Sequence, residues 1–279
     1  MEIQPLHIDG VRDYHCHCDF SIDATGTIEE YCQVALKRNL AEICFTTHYD
    51  ANPNSDGRIN FIMVNGKKKK VMPENLAPYV DEVHRVADKF FLLGLSVKLG
   101  VEIGWYEGCE ETIEKLKDRF QFDYVLCGIH ELDNICFCCR QTKNIFFEKY
   151  SANELAEKYF QQVVFAARSK LFDTIAHLQY YLKYGVEHYG EDIINAHQPY
   201  LEETFKALMD NKTGLEINTA SLRQGLKDYY PRIEIINAAK KAGIIIEYLG
   251  SDAHHPEQVG YDFEAAIPLV PDTIRSCDD

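Results

Sequence analysis

The feature that most constrains this chain is a set of metal-ligand residue types at its two ends. Near the N-terminus stands Asp13-Tyr-His15-Cys-His17, with Asp23 a few residues on; near the C-terminus stands Gly250-Ser-Asp252-Ala-His254. His15 and His17 are two residues apart, as are Asp252 and His254. Alternate side chains of a strand share a face, so either pair can reach one ion. The two clusters can meet only if the fold closes its first strand against its last. That requirement points to a barrel.

The rest of the chain supplies the staves. Segments at Val11–Tyr14, Glu42–Thr46, Ser96–Ile103, Asp123–Cys127, Phe172–Ala176, Leu215–Asn218 and Ile244–Leu249 read as strands. Between them lie helical segments. Thr27-Ile-Glu-Glu30 is a capping-box pattern opening a helix that runs to about Asn39. Further helices are expected over Pro73–Gly94, Gly108–Arg119, Ala152–Lys170 and Asn195–Asn211. Pro231 sits where another would begin, and Pro256 opens a last short one. The stretch from Tyr49 to Met72 reads as a polar loop with Lys67–Lys70 at its tip. Strands alternating with helices imply a parallel sheet with right-handed crossovers. No repeat or linker divides the chain, so residues 1–279 are expected to form one domain.

Candidate ligands fall at or just after the strand ends: His15 and His17, His48, Glu102, His130, His177, then Asp252 and His254. In a closed β/α barrel the carboxyl ends of the strands form one rim, where active sites sit. By contrast, His7, His84, His188 and His197 lie in the N-terminal arm, in helices or in an irregular segment, and are not expected to be ligands. Imidazoles with several carboxylates suit zinc, iron(II) or manganese(II) rather than magnesium or calcium. There are too many donors for one tetrahedral ion, so two or three ions are expected, with Glu102 as a natural bridge. Such a cluster generates hydroxide at neutral pH and clamps a phosphoryl group during displacement. No Gly-x-Gly-x-x-Gly, Walker loop, Gly-x-Ser-x-Gly elbow or His-Glu-x-x-His occurs to support another chemistry.

Composition narrows the partners. The net charge of −15 argues against a broad basic surface for nucleic acid. No run of 18 apolar residues is present, so no membrane-spanning helix is expected. The first residues show no basic or apolar leader, which points to the cytoplasm. There the ten cysteines are expected to be reduced. Cys136-Phe-Cys138-Cys139 contains one Cys-x-x-Cys spacing, but it lacks the second pair of a zinc ribbon and the position of a thioredoxin motif, so no dedicated role is expected for it.

Taken in order, Asp13-Tyr-His15-Cys-His17, Thr47-His48, Gly100-Val-Glu102, Gly128-Ile-His130, Ile175-Ala-His177 and Gly250-Ser-Asp252-Ala-His254 resemble the motifs of the PHP (polymerase and histidinol phosphatase) superfamily. The segment from Glu216 through Arg223, the following Tyr229-Tyr-Pro231 and the ending Ser251–Gly260 are most similar to its monofunctional histidinol-phosphate phosphatases. The resemblance implies a distorted (β/α)7 barrel with a trinuclear site. His15, His17, Glu102 and Asp252 would hold one ion; Glu102, His130 and His177 a second; Asp23, His48 and His254 the third. Asp13 would orient a histidine. Asp252, His254 and Arg223 would be the catalytic residues, and Arg223 and Lys183 would bind the substrate phosphate. Two departures stand out: Gln179 replaces the usual aspartate two residues after His177, and the segment after His130 is unusually cysteine-rich.

The reaction the resemblance implies is hydrolysis of L-histidinol phosphate, a small phosphate ester, with no general acid assigned. Three alternatives remain at this point. One is a related phosphoesterase acting on nucleotides or nucleic-acid ends. Another is a metal-assisted C–N hydrolase of the amidohydrolase type. The last is a non-catalytic metal-binding protein.

Overall fold

The computed structural model describes residues 3–6 and 10–270. Eight short parallel strands make the frame: β1 (Arg12–Cys16), β2 (Glu42–Phe45), β3 (Ser96–Gly104), β4 (Tyr124–Gly128), β5 (Thr174–Ile175), β6 (Gly214–Leu215), β7 (Ile217–Asn218) and β8 (Leu249–Gly250). Pairing follows chain order from β1 to β6, and β8 pairs with both β1 and β7. The ends of this path, β6 and β7, are halves of one extended run interrupted at Glu216. The sheet therefore closes on itself through residues 214–218. Counted that way it has seven staves, the (β/α)7 barrel that the motifs implied.

Ring contacts confirm closure. β1 and β4 are not neighbours in the sheet, yet the Tyr14 and Tyr124 rings lie 5.0 Å apart. Tyr14, Cys44, Tyr124, Leu126 and Ala176, with Tyr248, form a small cluster inside the barrel, separate from the large core between sheet and helices. Helices α1 (Ile28–Lys37), α2 (Pro73–Phe91), α3 (Glu110–Phe120), α4 (Ala152–Ser169), α5 (Leu201–Asn211) and α6 (Ile233–Ala242) provide the crossovers. Each buries an apolar stripe; α4, for example, turns Leu155, Tyr159, Val163 and Ala167 inward at helical spacing. Thr27 caps α1 with its reciprocal bond to Glu30, and Ser151 and Glu154 make a second capping box on α4.

Several elements differ from the sequence reading. Lys67–Lys70 is a strand paired antiparallel with Phe61–Val64, not a loop tip, and all four lysines are exposed. The Asn65-Gly66 pair, with φ of 52° and 69°, makes the tight turn of this hairpin possible. Strands β5 and β8 are shorter than their apolar runs, because only their C-terminal ends reach regular pairing. A 3-10 turn at Gln198–Tyr200 delays α5 to Leu201. Pro231 precedes α6 by two residues, in a cis peptide bond. Among the described residues no helix is long and apolar enough to cross a membrane.

Candidate metal centre and active site

Asp23, His48, His130, His177, Asp252 and His254 line one cavity of about 810 Å³, and His15, His17 and Glu102 lie fully buried against them. His15 is the penultimate residue of β1, and His17 directly follows the strand. The register that pairs His48 with Glu102 sets these two side by side. Glycines let the ring close this tightly. A Cβ on Gly128 would stand 2.5 Å from His130 Nε2, and one on Gly250 would stand 1.6 Å from Glu216 Oε1. His177 and Asp252 take left-handed backbone conformations, with φ of 28° and 50°. Non-glycine residues adopt that region at a cost, typically where a site demands it.

Three groups of donors emerge. His15 Nε2 and His17 Nε2 are 3.0 Å apart and lie 3.3–3.6 Å from Glu102 Oε2 and Asp252 Oδ1. Glu102 Oε1 lies 3.1 Å from His130 Nε2 and 2.8 Å from His177 Nε2. The Asp23 carboxylate lies 3.7 Å from His48 and 3.5 Å from His254. Asp23 is the exposed member of the set, whereas Glu102 is fully buried.

These spacings fit metal ions. Ligands at about 2.0–2.1 Å from one ion stand roughly 2.9–3.4 Å apart, depending on geometry. The tautomers agree. His15 Nδ1 donates to Glu216 Oε1 at 2.8 Å and His130 Nδ1 donates to Asp50 Oδ1 at 2.8 Å. In the neutral rings each Nε2 then carries a lone pair aimed at the cluster. His130 Nε2 faces a carboxylate oxygen, an arrangement that needs either a proton or a metal ion between them. His48 Nδ1 and Glu102 Oε2 are 2.8 Å apart, yet both are buried without a hydrogen-bond partner.

The electrostatics follow from this crowding. Burial works to raise the Glu102 carboxyl, but His130, His15 and His48 outweigh it and hold the group well below its usual range. Asp252 is held low against burial by His15, His17 and His254. Burial would lower His48; Asp23 and Glu102 overcome it and push the ring up to about 9. His15 and His130 are raised in the same way, by Glu216 with Glu102 and by Glu102 with Asp50. His17 goes down, through burial and the neighbouring His48 and His254.

The carboxylates that orient the imidazoles are thus Glu216 and Asp50, not Asp13. Asp13 accepts main-chain N–H bonds from Ser251 at 3.0 Å and Gly260 at 2.8 Å, tying β1 to the segment after β8. It touches no imidazole because its carboxylate is taken up by that backbone. Sequence reasoning passed over both true partners. The available signals were a lone acid inside the apolar run 214–218 and an acid two residues beyond His48. Gln179 is buried away from the cluster, accepting from the Arg232 N–H at 3.2 Å.

Arg223 lines the cavity from the short helix Ala220–Arg223. Its Nη2 donates to the carbonyls of Ser251 and Asp252 at 2.7 and 3.0 Å, and its Nη1 is buried without a partner. Lys183 lines the same cavity and donates to the Tyr180 hydroxyl at 3.0 Å, while the Tyr180 ring stacks on His177 at 4.1 Å. The non-ligand histidines behave as expected: His84 and His188 are exposed, and His197 is buried against Ile194 and Gln179. His7 lies outside the described residues.

The cysteines depart from expectation. Cys136 and Cys139 form a disulfide, with Cα atoms 5.7 Å apart across the turn after the hairpin Glu131–Leu132/Ile135–Cys136. Cys138 is free, with its sulfur 3.4 Å from that of Cys136.

Comparison with known proteins places this geometry. The PHP domain model matches residues 13–220. The chain is 32% identical to "Probable histidinol-phosphatase" of Deinococcus radiodurans, over 94% of each chain. It is 27% identical to "Histidinol-phosphatase" of Bacillus subtilis, over 92% of this chain and 98% of the relative. Its fold superimposes with a TM-score of 0.75 on the crystal structure of histidinol phosphate phosphatase from Lactococcus lactis, complexed with zinc, L-histidinol and phosphate; identity is 23%, and 93% and 92% of the two chains are covered. The chain belongs to the PHP domain family.

Proposed function

We propose that the whole chain is one catalytic domain that hydrolyses L-histidinol phosphate to L-histidinol and phosphate. It would act in the cytoplasm, using two to three divalent ions drawn from zinc, iron and manganese. The single observation that carries the reading is the convergence of nine donor residues, six of them lining one cavity and three buried against those, beside an arginine whose Nη1 has no hydrogen-bond partner. His15, His17, Glu102 and Asp252 would hold one ion, Glu102 with His130 and His177 a second, and Asp23 with His48 and His254 a third. Such ions supply Lewis acidity and a nucleophile at neutral pH.

The chain's own residues do the rest. Glu216 and Asp50 hold His15 and His130 in the tautomer that faces the ions. Arg223, braced by Nη2 on the Ser251–Asp252 backbone, offers Nη1 to the phosphate oxygens as charge builds on them. Lys183 supports the same anion from the Tyr180 side. Asp252 and His254 would serve as donors to the ions, at the edge of the cavity where Arg223 also lies. The curated relatives, named histidinol-phosphatase and matched along nearly their full lengths, support this substrate over a nucleotide.

A phosphate-release screen with metal-replete protein tests the proposal. The panel is histidinol phosphate, nucleoside monophosphates, sugar phosphates and short DNA. Histidinol phosphate should be turned over most efficiently. A chelator should abolish turnover, and zinc, manganese or iron(II) should restore it. Preference for a nucleotide would leave the phosphatase chemistry and overturn the substrate; release from no ester by metal-loaded protein would overturn both.

A further inference from the structure

We propose that the turn bracketed by the Cys136–Cys139 disulfide is the wall that selects the organic part of the ester, and that its grip follows the redox state of that disulfide. The inference rests on the phosphatase reading above. Cys138, Cys139 and Gln141 line the cavity that holds the donor cluster. Between the two bonded cysteines, Phe137 donates its N–H to the carbonyl of His130 at 3.1 Å. The Phe137 ring packs against Phe146, Tyr159 and Tyr180, with centroids 5.5, 6.1 and 6.4 Å away. Tyr180 in turn stacks on His177 and accepts from Lys183. One short turn thus touches the main chain of one donor residue and buttresses the ring lying on another. The Thr142 hydroxyl faces the carbonyls of Cys136 and Cys139, closing the same turn a second way.

The disulfide is reachable through Cys139, and free Cys138 beside it is partly exposed too, whereas the other described cysteines are not reachable. Cys16, Cys18, Cys32, Cys44, Cys109 and Cys127 are all buried, and Cys139 is only partly so. An external dithiol can attack the Cys139 sulfur. The Cys136–Cys139 bond breaks, Cys136 leaves as thiolate and takes a proton, and a mixed disulfide forms on Cys139. The second thiolate of the dithiol then attacks its own sulfur in that mixed disulfide, closes the reductant's disulfide and releases Cys139, which also takes a proton. Two electrons and two protons pass to the loop. Phe137 loses a covalent tether and Tyr180 the fixed ring it packs against, and a wall that was rigid before binding becomes one that binding must order.

The selected readout separates the organic part from the phosphate. KM for histidinol phosphate should rise roughly five-fold or more on reduction, as expected when a preordered loop must be immobilised by its ligand. The turnover number, the metal content and the inhibition constant of inorganic phosphate should stay within about two-fold, because the phosphate meets Arg223 and the metal donors rather than this turn. Reduction is best done with a phosphine, which transfers its two electrons while taking oxygen from water and does not strip zinc as dithiols do. Differential alkylation with peptide mapping follows Cys136, Cys138 and Cys139 apart from Cys277. The oxidised protein should label only Cys138 of the three, and the reduced protein all three. The Cys136→Ser/Cys139→Ser double variant should show the raised KM and no redox response; should it fail to fold, redox titration of the wild type carries the test alone.

Full labelling of all three thiols under oxidising conditions would overturn the proposal, since no disulfide would exist. So would an unchanged KM after verified reduction. A sulfur-to-cobalt charge-transfer band on cobalt loading would also overturn it, because the His/carboxylate cluster has no sulfur donor and the band would mark the three thiols as a metal site instead. A wild type that ignores histidinol phosphate but is inhibited by inorganic phosphate while cleaving another ester would sink the substrate reading; the KM of that ester across the redox states would then decide the wall by itself.

Discussion

Replacing Arg223 by alanine is the sharpest test of how this site handles phosphate. The guanidinium makes two kinds of contact. Nη2 holds the carbonyls of Ser251 and Asp252, while Nη1 is buried without a partner in the cavity wall. Burial lowers the side chain's affinity for its proton, yet Asp252 and Asp13 work to keep it charged. A charged hydrogen bond contributes roughly 1.5–3 kcal/mol, and a charge-stabilising contact in a shielded site about 2–4 kcal/mol. Loss of Nη1 should therefore reduce kcat/KM by roughly 30- to 1,000-fold, at about 1.4 kcal/mol per decade. Arg223→Lys should recover only part of this, because one ammonium cannot reach both the carbonyl pair and the phosphate as the planar fork does. The measurement is kcat/KM on histidinol phosphate beside the inhibition constant of inorganic phosphate and the metal stoichiometry of each variant. Both constants should worsen with metal content intact. Wild-type activity in Arg223→Ala would refute the reasoning, and loss of metal would reduce Arg223 to a brace for the backbone of Asp252.

Other variants probe the donor cluster from different sides. Glu102→Gln removes a charge that faces His15, His17, His48, His130 and His177, so metal content by elemental analysis and turnover should collapse together; retention of either would mean Glu102 is not the bridge. Glu216→Gln keeps the shape but weakens the hold on His15, and metal affinity by competitive chelation should fall about 10- to 100-fold, with Asp50→Asn doing the same through His130. An unchanged affinity in both would make these acids merely structural. The pH response of metal-stripped protein has a defined sign. His48 titrates near 9 in the folded chain against 6.5 when unperturbed, so its interactions stabilise the stripped protein fully below about 6.5 and are lost as pH rises towards 9. The melting temperature of stripped protein should fall across that window, and added zinc, which replaces those protons, should remove the fall. A stripped protein whose stability rises from pH 6.5 to 9 would contradict the assignment.

The residue pattern alone determined the parts that depend on chemistry and short-range periodicity. Histidines and carboxylates placed after apolar runs named the strand ends, and the need to unite His15 with Asp252 forced closure of the sheet. Thr27 and Glu30 announced a helix start because capping is local. Tertiary structure decided what depends on residues far apart in sequence. Glu216 and Asp50 became the partners of His15 and His130 only when segments 201 and 80 residues away brought them within 2.8 Å. Asp13 sits two residues from His15, yet the returning backbone of Ser251 and Gly260 claims its carboxylate. The lysine run became a hairpin strand because Phe61–Val64 was there to pair with it. Cys136 and Cys139 bonded because the turn after His130 folds back on itself, a geometry their spacing permits but does not impose. Local pattern carries side-chain identity and facing; only the closed barrel supplies the partner that decides what each side chain does.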